Sequence, residues 1–346
     1  MAGGPAPRKG GRALRGTTTR RGDKIFFGLS TASAVSIMVI LAGVAIFLIV
    51  KSIPAIVANW STNPELNNGP TAGFANFWVY VGPLLWGTIW ASAIALVIGA
   101  PIAIGIALFI SHYAPRRVAG ALGYLVDLLA AVPSIVFGLW GIIVIRPFLL
   151  PITDFLNHNL NWFPLFSGQA SSTGSTILAG GVVLAVMILP IITSISREIF
   201  LQTPRLHEEA ALALGATRWE MIRMAVFPYA RSGMVSATLL GLGRALGETM
   251  AIALIISPSI LFSVKLLTEG SNSQTIAANI ALNFPIATDL QRSALIGTGL
   301  MLFAVSLGVN ILARYIVSVT GPGATRRPSR AARRAAKTAA LTKAAA

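Results

Sequence analysis

The run GLGRALGETMA at residues 241–251 places Arg244 and Glu248 inside an otherwise apolar stretch. A guanidinium in such a setting can grip a tetrahedral oxyanion through two parallel charge-assisted hydrogen bonds. A carboxylate four residues further on shares the same face of a helix. There it can hold the guanidinium in place and release it when an anion enters. With a span beginning near Ser232, Arg244 lies about 18 Å deep at a rise of about 1.5 Å per residue, close to the bilayer midplane. Ionisable side chains at that depth are costly and tend to mark a substrate or ion path. A structural ion pair locking two helices together is the competing reading. Ala237, Gly241, Arg244, Glu248 and Ala251 cluster within about 40° of a common direction on a helix. Val235, Leu239, Leu242, Leu246 and Met250 take the opposite side, so the pair is expected to point into a bundle along a small-residue face. Thr249 is a polar neighbour on the same path. Asp127, about 9 Å into its own apolar stretch, is a further carboxylate that a basic group can meet.

These side chains need helices that cross a membrane to hold them. The chain has 346 residues, of which 55% are hydrophobic and 11% charged. A soluble domain carries about 25% charged residues. Apolar stretches run over 25–50, 83–110, 121–146, 177–196, 232–262 and 293–319. Each is close to the roughly 20 residues that a helix needs to cross a bilayer core. None alternates like a strand, and a helix satisfies its backbone internally, so an all-α integral membrane protein of six transmembrane helices is expected. The second stretch contains Pro101, the third AVPS at 131–134, and the fourth Pro190. Proline removes a donor and clashes with the preceding turn. Pro133, Ser134 and Pro190 are therefore candidates for hinges beside a substrate path, or for simple kinks.

Basic residues orient the bundle. Twenty-two of the 27 Lys and Arg fall in segments that share one side when the N-terminus is inside, against Lys51, Arg146, Lys265 and Arg292 on the other. The positive-inside rule then places both termini in the cytoplasm. The chain divides into a basic cytoplasmic tail at 1–24, a transmembrane domain at 25–319 and a second basic tail at 320–346. The net charge of +16 sits mostly in these tails, where it suits anionic lipid headgroups better than nucleic acid. The first apolar segment is longer than the roughly 7–15 residues of a secretory signal core, so no signal peptide is expected. Cysteine is absent and His112, His158 and His207 are scattered, so neither a disulfide nor a metal cluster is expected. No G-x-x-x-x-G-K-[ST] occurs, hence any ATP chemistry must come from a partner, and this chain is expected to be no enzyme.

Between the fourth and fifth stretches lies a segment, 197–231, that is polar enough for water. Pro204 can open a helix with Glu208 and Glu209 in its first turns, where the dipole favours negative charge. Leu206, Ala210, Ala213 and Leu214 recur at helical spacing. Gly215 is placed to end that helix, and a second short helix from Arg218 is expected to stop at Pro228. On physical grounds alone this is a helix-turn-helix packed beneath a bundle.

The run EAALALGATRWEMIRMAVFP at 209–228 resembles the EAA loop of ABC importer permeases, with Phe227 in place of the usual leucine before the proline. By that resemblance the bundle is a type I importer permease, and its coupling helix docks in a groove of a separate ATPase. Glu209, Ala210, Ala211, Gly215 and Pro228 are the motif positions. GLGRALGETMA, DLLAAVPSIVFGLWG at 127–141 and MILPIITSISRE at 187–198 look like the permeases of the phosphate-specific Pst importer, and the -GETMA ending favours its C-type subunit. The resemblance spans most of 85–260. It implies inorganic phosphate as cargo, with Arg244 and Glu248 on its path. It also implies an external phosphate-binding protein, an A-type second permease, and two ATPase subunits carrying ATP and Mg in a prokaryotic plasma membrane. Sulfate or molybdate is the alternative cargo. An ion-coupled anion transporter would explain Arg244 but leave the EAA loop without a purpose.

Overall fold

The computed structural model describes residues 21–320 except 258, 271 and 272; most of the two basic tails lies outside the described residues. Backbone contacts divide the chain into one unit ending at Val50 and another beginning at Lys51. The described part of the first unit is a single apolar helix, the larger part of α1 (Arg21–Val57).

The second unit is built around α6 (Ile177–Leu201), which packs between α2 (Phe77–Leu108) and α9 (Phe227–Leu246). Small residues allow that approach, because without lipid-excluding hydrophobic drive helices gain by backbone proximity and van der Waals contact. A Cβ on Gly99 would stand 3.1 Å from the Ala185 carbonyl, and one on Gly241 would stand 2.7 Å from Ile192. Gly181 is tighter still, since its Cβ would lie 2.4 Å from Ile94 Cγ2. Gly181→Val is therefore expected to destabilise the bundle by about 1–3 kcal/mol through overpacking, read as a lower thermal midpoint of the solubilised protein. An unchanged midpoint would mean that α2 and α6 shift freely past one another. The helices begin where polar side chains satisfy free N–H groups. Asn76, Thr176 and Thr275 each accept from the backbone three residues on, at the starts of α2, α6 and α11 (Ile276–Asn283).

Among the described residues five helices are long and apolar enough to cross a membrane, over Lys24–Val57, Phe77–Tyr113, Ser134–Leu160, Ile177–Leu201 and Asp289–Ser318. The last lies within α12 (Asp289–Thr320). Two expected spans are interrupted. The stretch 121–146 is broken between α3 (Arg116–Ala130) and α4 (Ser134–Trp140), because Pro133 has fixed φ and disfavours helix at the residue before it. The apolar run then continues through a widened turn, Gly141–Ile145, into α5 (Arg146–Leu160). The stretch 232–262 does not form one helix either. α9 ends at Leu246, a short α10 covers Met250–Ile255, and the chain is extended from Ile256. Pro190, in contrast, is buried within an unbroken α6.

The segment 263–291 is rich in polar residues, and part of it is nonetheless buried. Asn279 is fully buried in α11, donates to Tyr80 Oη at 2.7 Å and accepts from Gln274 Nε2 at 2.9 Å. The Ile276 N–H donates to Thr88 Oγ1 at 2.9 Å. Gln274, Asn279 and the Ile276 N–H have each found a partner, and that is the condition under which polar groups are buried at modest cost.

Candidate functional site

Arg244 stands in the last turn of α9, at the point where the helix stops. Gly241, Gly243 and Gly247 weaken the helix around it, since glycine costs about 1 kcal/mol relative to alanine in a helix interior. The break changes the geometry expected for the pair. Glu248 no longer lies one helical turn above Arg244. It is 7% exposed and its Oε1 accepts the Ala251 N–H at 3.2 Å, capping α10. Arg244 forms no ion pair or hydrogen bond among the described residues. The sequence reading of a helical Arg–Glu couple facing the buried small-residue side is thus corrected. Ala237, Gly241, Glu248 and Ala251 are buried, Leu246 on the supposed lipid face is buried as well, and Arg244 is exposed. Thr249 is half-buried at the break and donates to the Gly247 carbonyl at 3.2 Å.

The Arg244 side chain lines an open cavity of about 860 Å³ between α9 and α12, with Ile191 of α6 at its wall. Leu240 and Ser236 continue it along α9, and Asn310, Arg314 and Ser318 face them from α12. Its charged lining residues are both arginines. Asp127 does not join this group. It lies exposed on α3 and is not among the residues that line the cavity. Pro133 is exposed and half-buried Ser134 opens α4, so these two flank a true interruption.

Beneath the bundle, α7 (Arg205–Ala213) ends in a glycine-terminated turn. The Gly215 N–H donates to the Leu212 carbonyl at 3.0 Å and the Ala216 N–H to the Ala211 carbonyl at 3.2 Å, with Gly215 at φ +86°. That is the Schellman pattern, for which glycine is favoured because a Cβ is strained at positive φ. None of α7 is buried. Leu206 is 75% and Leu214 90% exposed, a large apolar surface for a segment outside the apolar spans. Glu209, Ala210 and Gly215 are exposed and Ala211 is half-buried. Pro228 does not stop the second helix as expected. The helix α8 (Arg218–Met221) passes through a widened turn, Ile222–Val226, into α9, with Pro228 in the first turn of α9. The widened turn directly before it, in which the Phe227 N–H donates to the Ile222 carbonyl, accommodates a proline that cannot donate to the ladder.

Residues 99–319 match the family described as binding-protein-dependent transport system inner membrane component. Phosphate transport system permease protein PstC 2 of Mycobacterium tuberculosis is 46% identical over 300 residues, covering 86% of this chain and 92% of the relative. PstC of Mycobacterium leprae is 43% identical over 307 residues, covering 88% of this chain and 96% of the relative. The chain belongs to the PstC family of binding-protein-dependent transport permeases. Two solved transporters share the fold of this permease. The bacterial alginate ABC transporter, in complex with its alginate pentasaccharide-bound periplasmic protein, aligns with TM-score 0.57 at 16% identity, over 87% of this chain and 96% of that one. The inward-facing MetNI methionine ABC transporter aligns with TM-score 0.51 at 17% identity, over 70% of this chain and 96% of that one. The all-α type I permease architecture expected from the sequence is the one present.

Two contacts of the permease escaped sequence reading. Arg146, counted as an external charge, is half-buried at the start of α5 and donates to the Leu254 carbonyl at 2.9 Å and to that of Ile255. It therefore caps the C-terminal end of α10, where free carbonyls and the helix dipole favour a cation. Its signal was an arginine directly before Pro147 in an otherwise apolar run. Nearby, in the loops that follow α5 and α10, Glu269 accepts from the hydroxyls of Thr173 and Ser171, each at 2.7 Å, and these hold its carboxyl below the usual range. The second contact joins His112, in the widened turn Phe109–Tyr113 after α2, to Glu208 of α7 at 3.5 Å. His112 Nδ1 is 2.7 Å from Ser111 Oγ. This ties α7 to the end of α2, a link between residues almost a hundred positions apart that no local pattern announces.

The turn after Gly215 is closed by a capping box. Thr217 N–H donates to Glu220 Oε2 at 2.8 Å, and Thr217 Oγ1 accepts the Glu220 N–H at 3.4 Å. The Thr217 backbone N–H, and then its hydroxyl, hold the Glu220 carboxyl below its ordinary pKa. A depressed carboxylate contributes stability that is complete above the unfolded pKa and is lost as pH falls through the folded one. Loss of such a cap costs about 1 kcal/mol. Thr217→Ala is thus expected to speed hydrogen exchange at the Glu220 amide about fivefold at neutral pH, and mild acid should leave the wild-type amide protected. Equal exchange in the two proteins would show that the box does not hold this turn.

Proposed function

We propose that the chain is a transmembrane permease subunit of an ATP-driven importer that carries inorganic phosphate into the cell. The observation that carries this reading is the Arg244 guanidinium, unpaired among the described residues and open to the cavity between α9 and α12. A cation at that depth without a carboxylate partner is expensive unless an anion visits it. The relatives named as phosphate transport permeases supply the identity of that anion. Glu248, spent on capping α10, shapes the path from one side, with Thr249 beside it. Asp127 has no part in this arrangement.

The exposed apolar surface of α7, with Glu209, Ala210, Ala211 and Gly215, is the docking site for an ATPase subunit, which holds the ATP and Mg. Two such subunits, an A-type second permease and an external phosphate-binding protein complete the machine. Both termini lie in the cytoplasm of a prokaryotic cell, with the transmembrane domain at 25–319 and the coupling segment at 197–231. The breaks at Pro133–Ser134 and at Gly247–Thr249 serve as hinges when the ATPase closes; Pro190, in a continuous helix, bends without breaking.

The test is uptake of labelled phosphate by phosphate-starved cells lacking only this chain and complemented with it. Uptake restored by the chain and indifferent to excess sulfate or molybdate supports phosphate as cargo. Suppression by either competitor would transfer the assignment to that oxyanion.

A further inference from the structure

The sequence reading used Arg314 only as an inner-side charge that orients α12. Its place in the cavity lining gives it a second role. Along α12, Arg314 lies about one turn from Asn310 and from Ser318, and these three line the cavity together with Ser236 and Arg244 of α9. Arg244 and Arg314 thus line one space of about 860 Å³, and no carboxylate lines it among the described residues. Arg314 is exposed and makes neither an ion pair nor a hydrogen bond among the described residues. Two like charges facing the same low-dielectric cavity repel each other, and that repulsion is relieved when an anion sits between them. Asn310, Ser236 and Ser318 add neutral donors beside the two forks.

We propose that Arg244 and Arg314 together bind one phosphate-type oxyanion in the cavity between α9 and α12. This rests on the permease reading above but not on phosphate as the cargo. The chemistry fits free inorganic phosphate in transit, and equally the phosphate of a lipid headgroup whose chains lie along the apolar wall. Leu239, Leu240 and Val317 form part of that wall.

The experiment uses the assembled, purified importer without its external binding protein. Wild type, Arg314→Gln, Arg314→Lys, Arg244→Gln and the double Gln variant are compared at matched assembly. Labelled inorganic phosphate is titrated before and after stripping of phospholipid, and retained phospholipid phosphorus is measured on the same samples. Removing one charge-assisted fork should weaken phosphate binding about tenfold to a hundredfold, with most of the affinity recovered in Arg314→Lys. The double variant should lose less than the product of the two single losses, since both groups hold one anion. Retained phospholipid that falls in Arg314→Gln, with no phosphate bound even by stripped wild type, assigns the same site to a lipid headgroup. Binding of sulfate instead of phosphate, with the same dependence on Arg314, keeps the site and removes phosphate as cargo. Unchanged affinity for both anions together with unchanged phospholipid in Arg314→Gln overturns the proposal, and so do strictly multiplicative losses.

Discussion

Arg244→Ala is expected to lower phosphate uptake by about two orders of magnitude or more while the importer still assembles. The size follows from the contacts a guanidinium makes to an oxyanion. Each charge-assisted hydrogen bond contributes roughly 1.5–3 kcal/mol, and a fork makes two of them. The assembly half of the expectation follows from the structure. Arg244 is exposed, pairs with nothing among the described residues, and leaves the buried contacts of α9 at Ala237 and Gly241 untouched. Removing one member of a buried ion pair would have carried a folding penalty as well. Because Glu248 is turned to the Ala251 N–H, that penalty does not arise here. Lysine at the same position should restore part of the rate, since it keeps the charge and loses the fork. The measurement is initial uptake of labelled phosphate at equal membrane levels. A rate within twofold of wild type for Arg244→Ala would take the residue off the path.

A tryptophan at Gly215 should separate ATP hydrolysis from transport. The site offers room, since nothing lies within 4 Å of a Cβ built there. What it does not offer is a comfortable backbone, because φ is +86° and an L-residue in that region costs roughly 1–2 kcal/mol. That strain acts at the end of a solvent-facing helix and leaves the bundle intact. Alanine at 215 therefore reports the backbone cost alone, and tryptophan adds bulk on the surface proposed to enter the ATPase. Loss of a central contact in such an interface typically costs about 2 kcal/mol or more, roughly a thirtyfold change in an equilibrium. Transport per ATP hydrolysed in reconstituted vesicles should fall about tenfold or further for tryptophan, and only slightly for alanine. Equal coupling ratios in wild type and Gly215→Trp would exclude this turn from the docking surface.

The two experiments probe opposite ends of one lever. α7 is tied to the end of α2 through His112 and Glu208, and α8 runs through a widened turn into α9, at whose far end Arg244 stands. If an ATPase docks on α7 as proposed, a displacement there must cross the turn at Gly215 before it runs through α8 and α9 to the cavity. Helix breaks at Pro133 and Gly247 are where the proposed hinges lie.

The amino-acid sequence alone determined that this protein is helical and embedded in a membrane, because twenty-residue apolar runs with charged ends have no other stable backbone arrangement. It also determined where α7 ends. Gly215 followed by Thr217 and Glu220 encodes a Schellman turn and a capping box through interactions that never leave a six-residue window. Only the tertiary structure decided what the ionisable groups do. Periodicity carried Arg244 and Glu248 along one unbroken helix, whereas the break after Leu246 sends one to a cavity and the other to a helix cap. Arg314, seventy residues on, lines the same cavity as Arg244, and the carbonyls of Leu254 and Ile255 claim Arg146 from more than a hundred residues away. Local composition fixes whether a residue prefers water, lipid or a turn. Which charge is answered by which partner depends on distances between helices, and those exist only once the helices have packed.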